Sequence, residues 1–230
     1  MTQPGSARPK RPWYLHLAWV PAGAFLEFAV ALVFSSWLHW PRRFFLIPYV
    51  GLGVALSYAF FRWNRLSIRR LLRHSWRMGL VGALVAGLAA VGVVIRQPAS
   101  ALAVGWRLPV DVLWSGTAYA AVDAVTLSVI PVLAVWQAFS AVGWVSKPAG
   151  RLAARAAGFA ASLAVAAVYH AGFAQYRGPQ VMGAVVGNAI FTASYVLTGS
   201  PLSPVLSHIA MHVAVVLRNP GTAIQLPPHY

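Results

Sequence analysis

The sequence predicts an all-α protein, a polytopic integral membrane helix bundle of about seven transmembrane helices, with six and eight as the limits. The composition supports this class because 59% of the 230 residues are hydrophobic and only 9% are charged, whereas soluble domains carry about 25% charged residues. The hydrophobic residues form several long runs, each near the roughly 20 residues that a helix needs to cross a bilayer. The chain has no cysteine, so disulfides and thiolate chemistry are excluded.

The chain is strongly basic, with 18 Lys and Arg residues against three acids and a net charge of +15. The basic residues lie mainly between the apolar runs, which is typical of membrane topology signals and of contacts with anionic lipid headgroups. We therefore expect membrane lipids as partners and no nucleic acid. With seven spans, 12 of the 18 basic residues lie on the side of the N-terminus, which predicts a cytoplasmic N-terminus. The arginine-rich, lysine-poor composition suggests a bacterial cell membrane.

The N-terminal part of the chain is predicted to hold a tail and three helices. Residues 1–13 are expected to form a disordered basic cytoplasmic tail, and residues 14–112 contain transmembrane helices 1–3. Between the second and third helices, residues 62–77 carry six arginines interleaved with Trp, Leu and Ile. This basic loop is either an amphipathic helix that binds anionic headgroups or an ordinary cytoplasmic loop that follows the charge bias.

The C-terminal part is predicted to form a transmembrane core over residues 113–217, followed by a polar tail at residues 218–230. The apolar run at 112–145 is too long for one simple span. It is either a span followed by a second segment or one long helix kinked at Pro131. In the preceding span, small residues predict close helix packing; these are Gly79, Gly82 and Gly87.

Four acid or amide side chains interrupt the apolar runs. An acid at bilayer depth costs about 2.5–3.5 kcal/mol on insertion scales, so Glu27 and Asp123 require partners or water. Asp123 and Gln137 fall roughly on one helical face, and we expect both to point into the same interior. Asn188 lies in the middle of a span, where we expect it to form hydrogen bonds between helices.

Three histidines are the candidate metal ligands and candidate catalytic residues. His208 and His212 are four residues apart, which places both imidazoles on one face of a helix, and His170 lies near the end of an earlier span. Three imidazoles and one carboxylate suit a divalent metal such as zinc, which accepts nitrogen and oxygen ligands. Alternatively, each histidine is a buried packing residue held by hydrogen bonds. The sequence has no His-Glu-x-x-His motif and no serine nucleophile motif.

The order of motifs in the last hundred residues resembles a known family. Residues 195–200 read Tyr-Val-Leu-Thr-Gly-Ser and are followed by His208 and His212, while His170 lies one helix earlier. This order resembles the CPBP family, the CAAX prenyl protease-type intramembrane proteases that are also called abortive-infection proteins. The resemblance covers residues 113–217. It implies cleavage of a peptide bond within or beside the membrane, with the three histidines in the reaction centre.

One motif of that family is altered in this chain. The family has a proline followed by Glu-Glu-x-x-x-Arg, whereas the residues after Pro131 place Val135 and Trp136 at the glutamates and Ser140 at the arginine. Neither Val135 nor Trp136 can accept a proton from water, which is the role that the resemblance assigns to the glutamate. Asp123 lies about 18 Å upstream of Val135 along a helix. It is therefore not a simple substitute for the missing glutamate.

The sequence therefore leaves three functions open. The chain is a divergent CPBP-like member with weak or altered peptidase activity, or a non-catalytic member that binds a membrane protein or peptide. In the third interpretation it is a proton-coupled transporter or transporter component, in which Glu27 and Asp123 are the titrating groups.

Overall fold

The computed structural model describes residues 11–218, 220–221 and 226. The predicted tail at residues 1–13 lies outside the described residues except for its last three, and Trp13 already begins the first helix. Most of the predicted tail at 218–230 also lies outside, although Leu226 is buried against the bundle. The helices are α1 Trp13–Trp37, α2 Arg42–Asn64, α3 Ile68–Arg73, α4 Trp76–Arg96, α5 Arg107–Ala141, α6 Pro148–Ala171, α7 Gln180–Thr198 and α8 Leu202–Arg218.

The all-α membrane class is confirmed, because the described residues contain helices and no strand. Six helices in this part of the chain are long and apolar enough to cross a membrane, and α8 is a shorter apolar helix of 17 residues. With α8 included, the bundle has the seven apolar helices that the sequence predicts. Helix α3, which lies in the predicted basic loop at 62–77, has six residues and is too short to cross.

Helix α5 is the centre of the bundle. In its most apolar 18-residue window 78% of the residues are buried, whereas the share is 22–33% in the other five long helices. Helices α1, α2, α6, α7 and α8 pack around it, and α4 packs on the outside against α7 and α8. The run at 112–145 is thus one long helix to Ala141, not a span followed by a second membrane segment. It is interrupted by wide π-helical turns at Val112–Ala118 and Val125–Val129.

Glycines allow the helices to approach closely, as the sequence predicts for α4. A Cβ added at Gly79 would meet the side chain of Ser200, and one added at Gly82 would meet Ser203 and Thr198. Gly87 faces the backbone and side chain of Ser207 on α8. Van der Waals packing of this kind is a main attraction between helices in lipid, where the hydrophobic effect no longer favours association.

A substitution pair in α2 tests this packing. A Cβ at Gly53 would collide with the Val122 side chain of α5, whereas one at Gly51 would meet nothing within 4 Å. We expect Gly53→Ala to lower the free energy of unfolding by about 1–3 kcal/mol, because overpacking displaces neighbours. Gly51→Ala should leave it unchanged or raise it, since alanine is the better helix former. Thermal unfolding in detergent measures both, and equal melting temperatures would contradict the close α2–α5 contact.

The predicted basic loop at 62–77 includes the end of α2, the short helix α3 and the start of α4. Helix α3 has six residues, and its first turn is capped by Ser67, whose Oγ accepts a hydrogen bond from the Arg70 amide at 3.3 Å. None of its residues is buried. Binding of anionic headgroups by this loop stays a prediction.

Candidate metal and reaction centre

Asp123 of α5 and the two histidines of α8, His208 and His212, form one buried group, which we call the Asp–His group. His208 Nε2 lies 3.4 Å from Asp123 Oδ2, and one ligand atom from each of Asp123, His208 and His212 lies within 4.8 Å of the other two. The two imidazoles are nearly parallel, with ring centroids 5.9 Å apart, because a spacing of four residues places them one turn apart on the same face of α8. A carboxylate and two imidazoles at this separation can bind a single divalent cation.

A tyrosine on α2 holds the carboxylate in place. The Tyr49 hydroxyl donates a hydrogen bond of 2.7 Å to Asp123 Oδ1, and both groups are buried. Because Oδ1 accepts this bond, the other oxygen, Oδ2, faces His208. Tyr49 is itself enclosed by the rings of Tyr119 and Tyr169, whose hydroxyls lie 3.1 Å apart. The edge of Tyr119 also packs against His212 at 5.1 Å between centroids. The Asp–His group therefore has a rigid aromatic wall.

Three polar atoms around this group are buried without a hydrogen-bond partner among the described residues. They are the Nδ1 atoms of His208 and His212 and the Oε2 atom of Glu27. The Glu27 carboxyl group, on α1, is buried and interacts electrostatically with Asp123, Tyr49 and Thr126. Leaving a buried polar group unsatisfied costs about 1–3 kcal/mol, and more for a charged one. Unsatisfied atoms beside a candidate ligand set indicate that the group binds an ion, water or substrate.

The group lines a cavity of about 250 Å³ in the interior of the bundle. Asp123, His208 and His212 form part of its wall, together with His170, Asn188 and apolar side chains of α4, α5, α7 and α8. The cavity has space for several water molecules at about 30 Å³ each. The Asp–His group is thus accessible to a small molecule or to part of a larger one.

His170 lies in the cavity wall but outside the group of three, so of the three predicted imidazoles only His208 and His212 lie together, with Asp123 beside them. Its Nδ1 atom is 2.7 Å from the carbonyl oxygen of Ala166, and its ring packs on Tyr169 and Tyr176. His170 is the penultimate residue of α6, and these local contacts hold its ring at the end of that helix.

Glu27, Asp123 and Asn188 are buried, whereas Gln137 is only half-buried, and neither Glu27 nor Gln137 lines the cavity. The expected common face of Asp123 and Gln137 assumes a regular α-helix. The π-helical turn at Val125–Val129 lies between them and changes the angular phase of the residues that follow it. The two side chains therefore leave the shared face.

Asn188 joins three helices through hydrogen bonds, as expected for a polar residue in the middle of a span. Its Oδ1 accepts from Ser128 Oγ at 3.1 Å, and its Nδ2 donates to Ser162 Oγ at 3.0 Å. Thr192 Oγ1 lies within 2.9 Å of both serine hydroxyls. The network connects α5, α6 and α7 directly beside the cavity and satisfies its own polar groups.

The sequence did not indicate two features of the site. Nothing in the sequence singles out Tyr49 among the eight tyrosines, and only the packing of α2 on α5 brings it to Asp123. The carboxylate beside His208 belongs to Asp123, while Val135 does not line the cavity. The signal that pointed to Asp123 was its position as an acid in the middle of an apolar run.

In comparisons with known proteins, no family model, no curated protein and no solved structure matches this chain.

Proposed function

We propose that this protein is a membrane-embedded metallohydrolase whose metal ligands are Asp123, His208 and His212. The observation that carries the proposal is the buried group of three ligand atoms within 4.8 Å of one another in the wall of a cavity. Catalytic zinc sites commonly use three protein ligands, two histidines and a carboxylate among them, and keep one position for water. The metal would supply an activated water and polarise the substrate carbonyl.

Glu27 is the proposed general base. It does not line the cavity, but its buried carboxyl group interacts electrostatically with Asp123, and its Oε2 atom has no partner among the described residues. A carboxylate in this place can take the proton of the attacking water and return it to the leaving group. Tyr49 holds Asp123 through the 2.7 Å hydrogen bond and so fixes the ligand geometry.

The proposed bond is a peptide bond, because of the resemblance to CPBP proteases. The pair of histidines that carries this resemblance lies in the cavity wall, and Asp123 and Glu27 supply carboxylates that the altered motif lacks. This arrangement favours an active member over a non-catalytic one that only binds a membrane protein or peptide.

The second candidate function is proton-coupled transport, and one observation favours it. Glu27, Tyr49 and Asp123 are adjacent and buried in the bundle, so a proton could pass between the carboxyl groups. In liposomes with a pH-sensitive dye inside, this function predicts a proton flux that Glu27→Gln removes. The hydrolase predicts no such flux.

Hydrolysis can be tested without a known substrate by incubating the purified protein with solubilised bacterial membranes in ¹⁸O-water. We expect the wild-type protein to create new peptide carboxyl groups that carry ¹⁸O. Glu27→Gln should lower this incorporation about 100-fold or more, which is the range for loss of a general base, while the metal content stays equal to wild type. Equal incorporation by wild type and variant would contradict the proposal.

The membrane environment supports a proposal on orientation and lipid contacts. We place the N-terminus in the cytoplasm of a bacterial cell, which puts the six arginines of residues 62–77 at the inner leaflet. Anionic headgroups there attract basic residues with about 1 kcal/mol each. The exposed residues of α3 are the contact surface in this proposal.

A further inference from the structure

The cavity reaches the outer surface of the bundle between α4 and α7. Val93 of α4 and Val186 of α7 line the cavity, yet they are 48% and 57% exposed. Gly183 of α7 also lines it and is exposed. Residues that belong to both the cavity wall and the outer surface mark an opening, which we call the α4–α7 opening and define by Val93, Gly183, Val186 and Gly187.

Helices α4 and α7 touch at one end, whereas beside the opening there is free space at Gly187 of α7. At the closed end, a Cβ on Gly82 would lie 2.7 Å from the Thr198 side chain. About two to three turns after Gly82 on α4, and about three to four turns before Thr198 on α7, the residues that line the cavity are small. Gly187 lines the cavity, and a Cβ added there would meet nothing within 4 Å.

The surface around the opening is apolar and belongs to two membrane-spanning helices. On α4 the neighbouring exposed side chains are Leu84, Val85 and Leu88, each 63–65% exposed, and on α7 Met182 is 59% exposed. Such a surface faces lipid chains when the helices cross a bilayer. Behind the opening, the cavity wall continues with the apolar side chains of Leu127, Phe191 and Met211.

We propose that the α4–α7 opening binds one acyl chain of a bilayer phospholipid, which enters sideways and reaches Leu127, Phe191 and Met211. The cavity is then reached from the hydrocarbon region of the membrane, and its natural ligands include a hydrocarbon chain. This proposal concerns binding alone and holds whether or not the Asp–His group binds a metal.

Photocrosslinking in liposomes tests this proposal. The protein is reconstituted with a phosphatidylcholine that carries a diazirine near the end of one acyl chain, irradiated, and mapped by mass spectrometry. We expect adducts on Leu127, Phe191 and Met211, which are at most 7% exposed and cannot be reached by lipid outside the bundle. Adducts confined to outward-facing side chains such as Leu84 and Leu88 would overturn the proposal.

Matched glycine variants separate the opening from the rest of the surface. Gly187→Leu should fill the opening and remove the adducts on the buried residues. Gly92→Leu places the same side chain on α4 at a position that also has free space within 4 Å but does not line the cavity, so it should keep them. Val186→Trp is a second blocking variant if Gly187→Leu fails to fold. Unchanged buried adducts in a folded blocking variant would contradict the proposal.

A third arm keeps this proposal separate from the proposed function. His208→Ala should lose bound metal but keep the buried adducts, whereas Gly187→Leu should lose the adducts but keep the metal. Loss of the buried adducts in His208→Ala would show that the lipid signal depends on the Asp–His group and would contradict sideways binding through the opening.

Discussion

Asp123→Ala is expected to abolish stoichiometric metal binding by the purified protein. The substitution removes one of three candidate ligands and leaves the two imidazoles buried. Loss of a residue that only supports a ligand lowers metal affinity about 10–100-fold, so removal of the ligand itself should lower it by more than about 100-fold. Metal content by mass spectrometry, and competition with a chelator for the residual affinity, measure the effect.

Asp111→Ala is the matched control for this substitution. Asp111 lies in the first turn of the same helix but is paired with Arg43 at the surface, where Nη2 and Oδ2 are 2.8 Å apart. We expect this variant to keep its metal and to lose little stability, because exposed ion pairs contribute about 0–1 kcal/mol. Equal metal content in the Asp111 and Asp123 variants would show that Asp123 is not a ligand.

Tyr49→Phe has the second-largest expected effect, a 10–100-fold loss of metal affinity. The phenyl ring keeps the contacts with Tyr119 and Tyr169, so the fold should remain. The lost hydroxyl donates to Asp123 Oδ1, and without it the carboxylate can rotate away from His208. Affinity is measured by titration of the metal-free protein with zinc in a competing buffer.

Tyr119→Phe distinguishes this positioning role from a general loss of packing. The Tyr119 hydroxyl pairs with the Tyr169 hydroxyl, not with Asp123. We therefore expect this variant to lose some stability and to keep zinc affinity close to that of wild type. If both phenylalanine variants weaken zinc binding equally, Tyr49 has no specific role in holding the carboxylate.

The helices were the part of the structure that the sequence predicted best, because long apolar runs and the scarcity of charge in them are direct consequences of the lipid environment. The close packing at Gly79, Gly82 and Gly87 followed from the same reasoning. The sequence left two alternatives for α5, because Pro131 could have broken the helix. In the structure a wide π-helical turn at Val125–Val129 precedes Pro131, and the helix continues through the proline.

The site was predicted only in part. The spacing of His208 and His212 fixes their common face within one helix, so this pair could be foreseen. The choice between His170 and Asp123 as a third member depends on how α5, α6 and α8 pack, which no local pattern encodes. The same holds for Tyr49 and Glu27, which come from helices far away in the sequence and meet Asp123 only in the folded bundle.

The most direct test of the central hypothesis is X-ray absorption at the zinc edge on the purified wild-type protein. We predict one zinc per chain, with imidazole scattering from two histidines, Zn–N distances of about 2.0–2.1 Å, additional oxygen ligands and no sulfur at about 2.3 Å. His74→Ala, which changes an exposed histidine of the basic loop, should give the same spectrum. Substoichiometric zinc, or a spectrum without imidazole scattering, would contradict a metal centre at Asp123, His208 and His212.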